Sequence, residues 1–275
     1  MTNKDQIQET STQRRRSASE LRRENFHIML RTLQLAWHAY AKDKAAVGAL
    51  IFIGIIMILT IFAPYIAPHD PNEAVGTRGG LPGTDGLILG GDMEGRDLLS
   101  RLLWGGRIAL LTGVAPTVAA TCIAVFLGVV AGYIGGWIDQ IIMRVLDVFF
   151  AFPLVLLAIV IAGSLDPGVS TLILSITIAL VPYIARLVRT TTVSVKQEPY
   201  IEAARAGGAT TPTILARYVL PNTLAPVIVY STTLIGLMMV VASGLSFLGV
   251  GTQPPEADWG TMVSDGRAVL KKAPH

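Results

Sequence analysis

Residues 198–222 read EPYIEAARAGGATTPTILARYVLPN, a polar, helix-forming segment set between two long uncharged runs. Upstream, no charged residue occurs from 167 to 185; downstream, none occurs from 218 to 255. Crossing the hydrocarbon core of a bilayer takes about 20 apolar helical residues, so either flank is long enough to span it. Working outward, three more charge-free runs cover 45–68, 108–138 and 148–165. One charge at the centre of a span costs roughly 2.5 to 3.5 kcal/mol on insertion scales, so the runs read as five spans. Those at 108–138 and 218–255 exceed one crossing and must include turns or interfacial helix at their ends.

Composition agrees, since 52% hydrophobic and 15% charged residues over 275 positions is too apolar for an ordinary soluble domain. The fold class expected is an all-α membrane protein, a polytopic helical bundle. The basic N-terminus does not introduce a signal peptide: the first apolar run begins only after residue 44 and exceeds the about 7 to 15 residues of a signal core. Cys122 is the single cysteine and lies inside an expected span, which excludes a disulfide framework or a cysteine metal site.

Lysine and arginine mark the side of a membrane protein that stays in the cytoplasm. Residues 1–44 carry nine of them, 139–147 one and 186–217 five, fifteen on one side. Residues 69–107 carry four and the chain after Glu256 three. The N-terminus and the 198–222 segment are therefore expected in the cytoplasm. Arg96, Arg101 and Arg107 fall on the expected outer side, where Asp97 is spaced to pair with Arg101 across one helical turn.

Residues 1–20 are rich in Ser, Thr, Gln and Arg and lack the apolar residues needed to fold, so they read as disordered. Arg14, Arg15 and Arg16 could suggest nucleic acid, but beside a first span such a run holds topology and touches anionic lipid. Phe26, Leu30, Leu33, Trp37 and Tyr40 form an apolar stripe, either a helix in the membrane surface or an extension of the first span. Residues 68–95 hold Pro68, Pro71, Pro82 and eight glycines and read as an external loop. A short helix at 97–104 would lead into the second span. There Gly128, Gly132 and Gly136, spaced by four, offer a strip for close helix packing, which is favoured over a pore-lining role. Pro116, Pro153, Pro182 and Pro226 are expected to kink or start helices.

Within 198–222, Pro199 suits a first helical turn because its missing amide hydrogen had no partner there. Glu202 in that turn complements the helix dipole. Ala203, Ala204 and Ala206 keep a face small, and Gly207 and Gly208 end the helix. Pro212 starts a second helix to Leu220, and Pro221 with Asn222 marks entry to the next span. The segment is either a rigid handle for a soluble partner or an incidental amphipathic loop.

Other classes fit poorly. An ion-coupled secondary transporter keeps acidic groups or histidine in its spans, and none of the five runs has one. A membrane enzyme needs converging nucleophile, base or metal ligands, whereas His27, His38, His69 and His275 are scattered outside the spans. Asp70 beside His69 reads as a solvated loop start, and Arg144 with Asp147 as an interfacial ion pair. No GxxxxGK[ST] phosphate loop is present, so a nucleotide would be bound by another chain.

Glu202, Ala203, Ala204 and Gly208, followed by Leu220 and Pro221, resemble the EAA motif of permease subunits of bacterial ABC importers; Tyr218 stands where that motif has isoleucine. LGGDMEGRDLLSRLLWGGR at 89–107 is similar to the GTDxxGRDxxSR segment of the dipeptide and oligopeptide permeases, with Gly91 in place of threonine. SFLGVGTQPPEADWGTM at 246–262 resembles that family's outer loop after the fifth span. The resemblance, over roughly residues 30–272, implies a coupling helix at 198–222 seated in an ATPase groove. It implies two ATPase subunits, a second and different permease, an external substrate-binding protein and a peptide cargo, with nickel and glutathione importers as relatives. No cofactor is implied for this subunit. It also implies a sixth span, absent before His275, so that the sequence is expected to be a fragment or truncated form, the alternative being a subunit that works with five spans and an external end. The expected division is a cytoplasmic tail and interfacial helix at 1–44, a first span at 45–67, an external loop with a short helix at 68–107, and a permease core at 108–275 with its coupling loop at 186–222.

Overall fold

A computed structural model of the chain describes Trp37, His38 and residues 40–275. The tail at 1–20, and the stripe from Phe26 apart from Trp37 and Tyr40, lie outside the described residues. The chain divides into two compact units, one ending at Leu59 and the other running from Thr60 to His275.

The first unit holds most of helix α1 (Lys44–Ile61), whose start is prepared by Asp43. Its Oδ1 accepts from the amides of Ala45 (2.9 Å) and Ala46 (3.2 Å), occupying donors that have no intrahelical partner. The Tyr40 hydroxyl donates to the Ala46 carbonyl, and the Trp37 and Tyr40 rings stack with centroids 6.1 Å apart.

The second unit continues with α2 (Ala63–Ile66), a long irregular loop, α3 (Leu98–Ile134), α4 (Gly136–Phe150), α5 (Leu154–Gly163) and α6 (Val169–Lys196). After these come α7 (Pro199–Ala206), α8 (Thr211–Ile214), one π turn at Leu215–Val219, α9 (Leu220–Phe247) and α10 (Trp259–Val269). Among the described residues there is no strand, only isolated bridges joining Ala74 to Arg96 and Gly91 to Asp97. The all-α class holds.

Four helical stretches are long and apolar enough to cross a membrane: Lys44–Ile61, Leu98–Ile134, Val169–Lys196 and Thr211–Phe247. The remaining expected span, at 148–165, is a broken pair in which α4 and α5 meet at 81°. Proline causes the break: its ring disfavours helical geometry at Phe152, and Pro153 itself sits at φ −54°, ψ 132° as the N-cap of α5. At ten residues, α5 alone is only about 15 Å long. The separate entry helix expected at 97–104 is also absent, because α3 runs unbroken from Leu98 through the boundary expected at residue 107.

Small side chains set how closely the long helices approach. Ala120 and Ala124 of α3 join Ile176, Leu180, Ile184 and Val188 of α6 and Val227, Met238 and Leu245 of α9 in one buried cluster. Gly128 and Gly132 carry that contact onward, each lying directly against α6. Gly136 does not belong to the strip. Gly135 (φ +74°) ends α3, and Gly136 (φ +60°) opens α4 with no atom within 4 Å of where a Cβ would stand. The expected three-glycine strip is thus corrected to two glycines continued backward by alanines. Pro116, Pro182 and Pro226 sit inside helices, while Pro153 alone starts one.

At the far end of α3 the glycine-rich loop is held by buried charge. Arg96 pairs with Asp92 and Glu94, each at 2.7 Å, and Arg101 reaches Asp92 at 3.5 Å while donating to the carbonyls of Pro71 and Pro255. The expected Asp97–Arg101 pair is not formed. Asp97 turns onto its own first turn as N-cap, accepting from the Leu99 amide and from the Ser100 amide and hydroxyl. Its partner across the loop is His69, whose half-exposed ring brings Nδ1 to 3.4 Å from the Asp97 carboxylate. Gly91 has no room for the motif threonine, since a Cβ there would stand 2.9 Å from the Thr77 carbonyl oxygen.

Candidate functional site

The 198–222 segment folds as a knob between α6 and α9. Pro199 occupies the first turn of α7, Glu198 precedes it in extended geometry, and Glu202 and Arg205 stand in its first and last turns. Both charges complement the dipole of this short helix. Gly207 is its C-cap and Gly208 takes φ +80°, letting the Ala209 amide reach back to the Ala204 carbonyl at 3.0 Å. A left-handed residue just past a helix end is where glycine is least costly.

One side chain anchors the knob. Ile201, 1% exposed, packs with Ile214, Val219 and Tyr133, the last from the final turn of α3, and Val195, Ala209, Leu215 and Tyr218 pack around them. The remaining face of α7 is open: Tyr200, Glu202, Ala203, Arg205 and Ala206 are exposed and Ala204 half-buried. Two carboxylate or guanidinium tips above a floor of methyl groups suit close approach by another protein, since short side chains lose little rotamer freedom on contact.

The second helix does not end at Leu220 as expected. From Thr211 the chain passes through the π turn and on without a break to Phe247. Proline again supplies the cause. Pro221 has no amide hydrogen for the Arg217 carbonyl, and the ladder shifts by one residue so that the Leu220 amide bonds the Leu215 carbonyl. The Asn222 side-chain amide then donates to the Tyr218 carbonyl at 2.6 Å. Of the motif residues, Glu202, Ala203, Ala204 and Gly208 therefore share the exposed knob, while Leu220, half-buried, and Pro221, exposed, stand at the joint with α9.

Beside the knob, ion pairs tie α4 to α6. Arg189 makes a two-pronged pair with Asp139 at 2.5 Å, and Arg186 pairs with Asp147 at 2.7 Å while its guanidinium lies 3.9 Å from the Phe150 ring centroid. Asp147 thus takes Arg186 as its partner, in place of the expected Arg144, because α6 brings a guanidinium across from outside the local turn. The Lys196 ammonium donates to the Tyr133 carbonyl at 2.6 Å and lies 5.5 Å from its ring centroid. Tyr133, Ile201 and Lys196 were not singled out from sequence. A lone isoleucine in a polar stretch and a tyrosine near a helix end carry no local signal of their mutual contact.

Residues 124–270 match the family of binding-protein-dependent transport system inner membrane components. The chain belongs to that family. Residues 32–78 also match the N-terminal TM domain of oligopeptide transport permease C. Among curated relatives, the glutathione transport system permease protein GsiD of Shigella flexneri serotype 5b (strain 8401) is 42% identical over 241 residues, 87% of this chain and 79% of that protein. The GsiD proteins of Escherichia coli O6:K15:H31 and Shigella boydii serotype 4 are 40% identical over the same shares. A chain of the inward-facing MetNI methionine ABC transporter has 20% identity and a TM-score of 0.41, covering 61% of this chain and 82% of that one. The protein is a permease subunit of an ABC importer, a multi-pass component of the inner membrane.

Proposed function

We propose that this permease couples ATP hydrolysis on separate subunits to substrate movement through the 198–222 knob, and that its cargo is a short peptide. The observation that carries the reading is the exposed α7 face above a buried Ile201 anchor. Such a knob can take a push without bending and pass it to three long helices. Glu202, Ala203, Ala204 and Gly208 form the surface that meets the ATPase; Leu220 and Pro221 set the joint behind it. Two ATPase subunits bind two permeases, this one and a different second one, and an external binding protein delivers substrate to the opposite face. Closure of the ATPases on ATP moves the knobs and switches the membrane dimer between two packings. The knob and the N-terminus lie in the cytoplasm, supported by the fifteen lysines and arginines on that side. The peptide class is supported by the oligopeptide permease match and by the glutathione permeases at 40–42% identity, which makes glutathione the first cargo to try.

The test is Glu202→Lys or Gly208→Trp in the reconstituted complex. Either variant is expected to detach the ATPases or to let ATP be hydrolysed without peptide uptake. Normal coupled transport by both variants would remove the role assigned to the knob.

A further inference from the structure

Three routes lead from the knob into the membrane bundle. Two are covalent: Gln197 and Glu198 join it to α6, and α8 with the π turn joins it to α9. The third is lateral and non-covalent. Tyr133, 9% exposed at the end of α3, rests its ring in the same cluster as Ile201. Its carbonyl belongs to the last turn of α3, where intrahelical donors run out. Lys196 of α6 supplies the missing donor at 2.6 Å and places its positive charge at the negative end of the α3 dipole. Next to it, Gly132 leaves no gap against the Arg189 carbonyl and Thr192 of α6, and the Arg189–Asp139 pair fastens the start of α4 to α6. On this side the ends of α3 and α6 therefore form one strut seated on Ile201. The path into α9 is softer, since it crosses a π turn and a proline that cannot donate.

We propose that Tyr133 and Lys196 are positioning residues for transport: they make α3 move with α6 when the knob is pushed, so that the shift is taken up between this pair and α9. The proposal rests on the coupling role given to the knob, and it adds which helix follows the knob without being covalently next to it.

The experiment uses the complete complex, with Lys196→Met, which keeps the apolar stem and removes the donor, Lys196→Arg, which restores a charged donor, and Tyr133→Leu, which removes the ring. Lys196→Met and Tyr133→Leu are expected to retain the ATPase subunits and to keep hydrolysing ATP, while peptide transported per ATP falls about tenfold, the ordinary size of a coupling effect. Lys196→Arg is expected to recover most of that ratio. An unchanged ratio in Lys196→Met, or equal losses in Lys196→Met and Lys196→Arg, overturns the proposal. A second measurement covers a variant that fails to assemble. Spin labels at positions 134 and 205, both exposed, are placed in a Cys122→Ser background on the full-length subunit in native membranes. Their distance distribution is expected to broaden in Lys196→Met; an unaltered distribution overturns the strut. If wild-type protein brings down no ATPase, the coupling reading fails, and the label distances still judge the strut.

Discussion

Gly128 has room for a hydrogen and little else. A Cβ there would stand 2.6 Å from the Val188 Cβ and 2.8 Å from the Ala185 carbonyl oxygen, and the backbone oxygen has no rotamer by which to withdraw. Gly128→Val is therefore expected to destabilise the purified subunit by about 1–3 kcal/mol or more, the usual cost of overpacking. A thermal midpoint equal to wild type would refute the close contact. Asp97 and Asp258 offer a second residue-scale prediction, because both cap helices and their carboxyls shift in opposite directions. Burial alone would raise Asp97, but the Ser100 hydroxyl and amide, His69 and the Leu99 amide together hold it below the usual carboxylate range. Asp258 is held above that range by burial, against hydrogen bonds from Ser246 and from the amides of Thr261, Gly260 and Trp259. A lowered carboxyl contributes stability that is present above its unfolded pKa and lost as pH falls through its folded value; a raised one does the reverse. Asp97→Ala is thus expected to cost about 1 kcal/mol near neutrality, the usual loss of an N-cap. Its deficit should shrink as the solution is acidified below the ordinary aspartate range, while Asp258→Asn, which can still cap, should gain most at neutral pH. Melting curves across a pH series check both signs.

At the scale of elements, proline decides where helices stop and where they merely change register. Pro153 breaks one, since Phe152 before it is pushed out of helical geometry and its amide closes a tight turn on the Phe149 carbonyl at 3.2 Å, which ends the ladder. Pro221 does not break the next, because the π turn reassigns the Leu220 amide and Asn222 covers the Tyr218 carbonyl. That side-chain bond is the part a mutation can reach. Asn222→Leu should remove this exposed bond at a cost of about 0.5–1.5 kcal/mol, the net contribution of a typical hydrogen bond. Amide hydrogen exchange is expected to quicken locally, from residue 215 to 224, with α3 and α6 unaffected; uniform protection would show that the joint does not depend on this bond. Sequence spacing alone made the stretch to Leu220 a separate helix, because a missing donor reads as a stop unless its replacement is known.

For the whole molecule, the orientation is the property most directly open to test. In the proposed topology the knob side carries fifteen lysines and arginines against seven elsewhere. With Cys122 replaced by serine, a cysteine at Arg205 is expected to react with a membrane-impermeant maleimide only from the cytoplasmic side, and one at Glu73 only from the outside. The reverse pattern would invert the topology and detach the knob from any cytoplasmic ATPase. The peptide assignment belongs to this scale too, since the proposed pathway lies between two permeases and no single residue names its cargo.

Charge-free runs, basic flanks and the EAA and GRD segments determined the class of this protein from its sequence, because a bilayer filters composition residue by residue and needs no knowledge of packing. The knob from Pro199 to Gly208 was equally legible, since caps, dipoles and left-handed glycines act within one turn. Long-range pairing was not. Asp147 meeting Arg186 and Tyr133 lying against Ile201 depend on which helices come side by side, and Asp92 holding Arg101 depends on how the glycine-rich loop folds back onto α3. Asp147 had Arg144 nearby in sequence, and only the packing of α4 against α6 brought Arg186 within reach, while the close approach of α3 and α6 at Gly128 and Gly132 set Tyr133 beside Lys196.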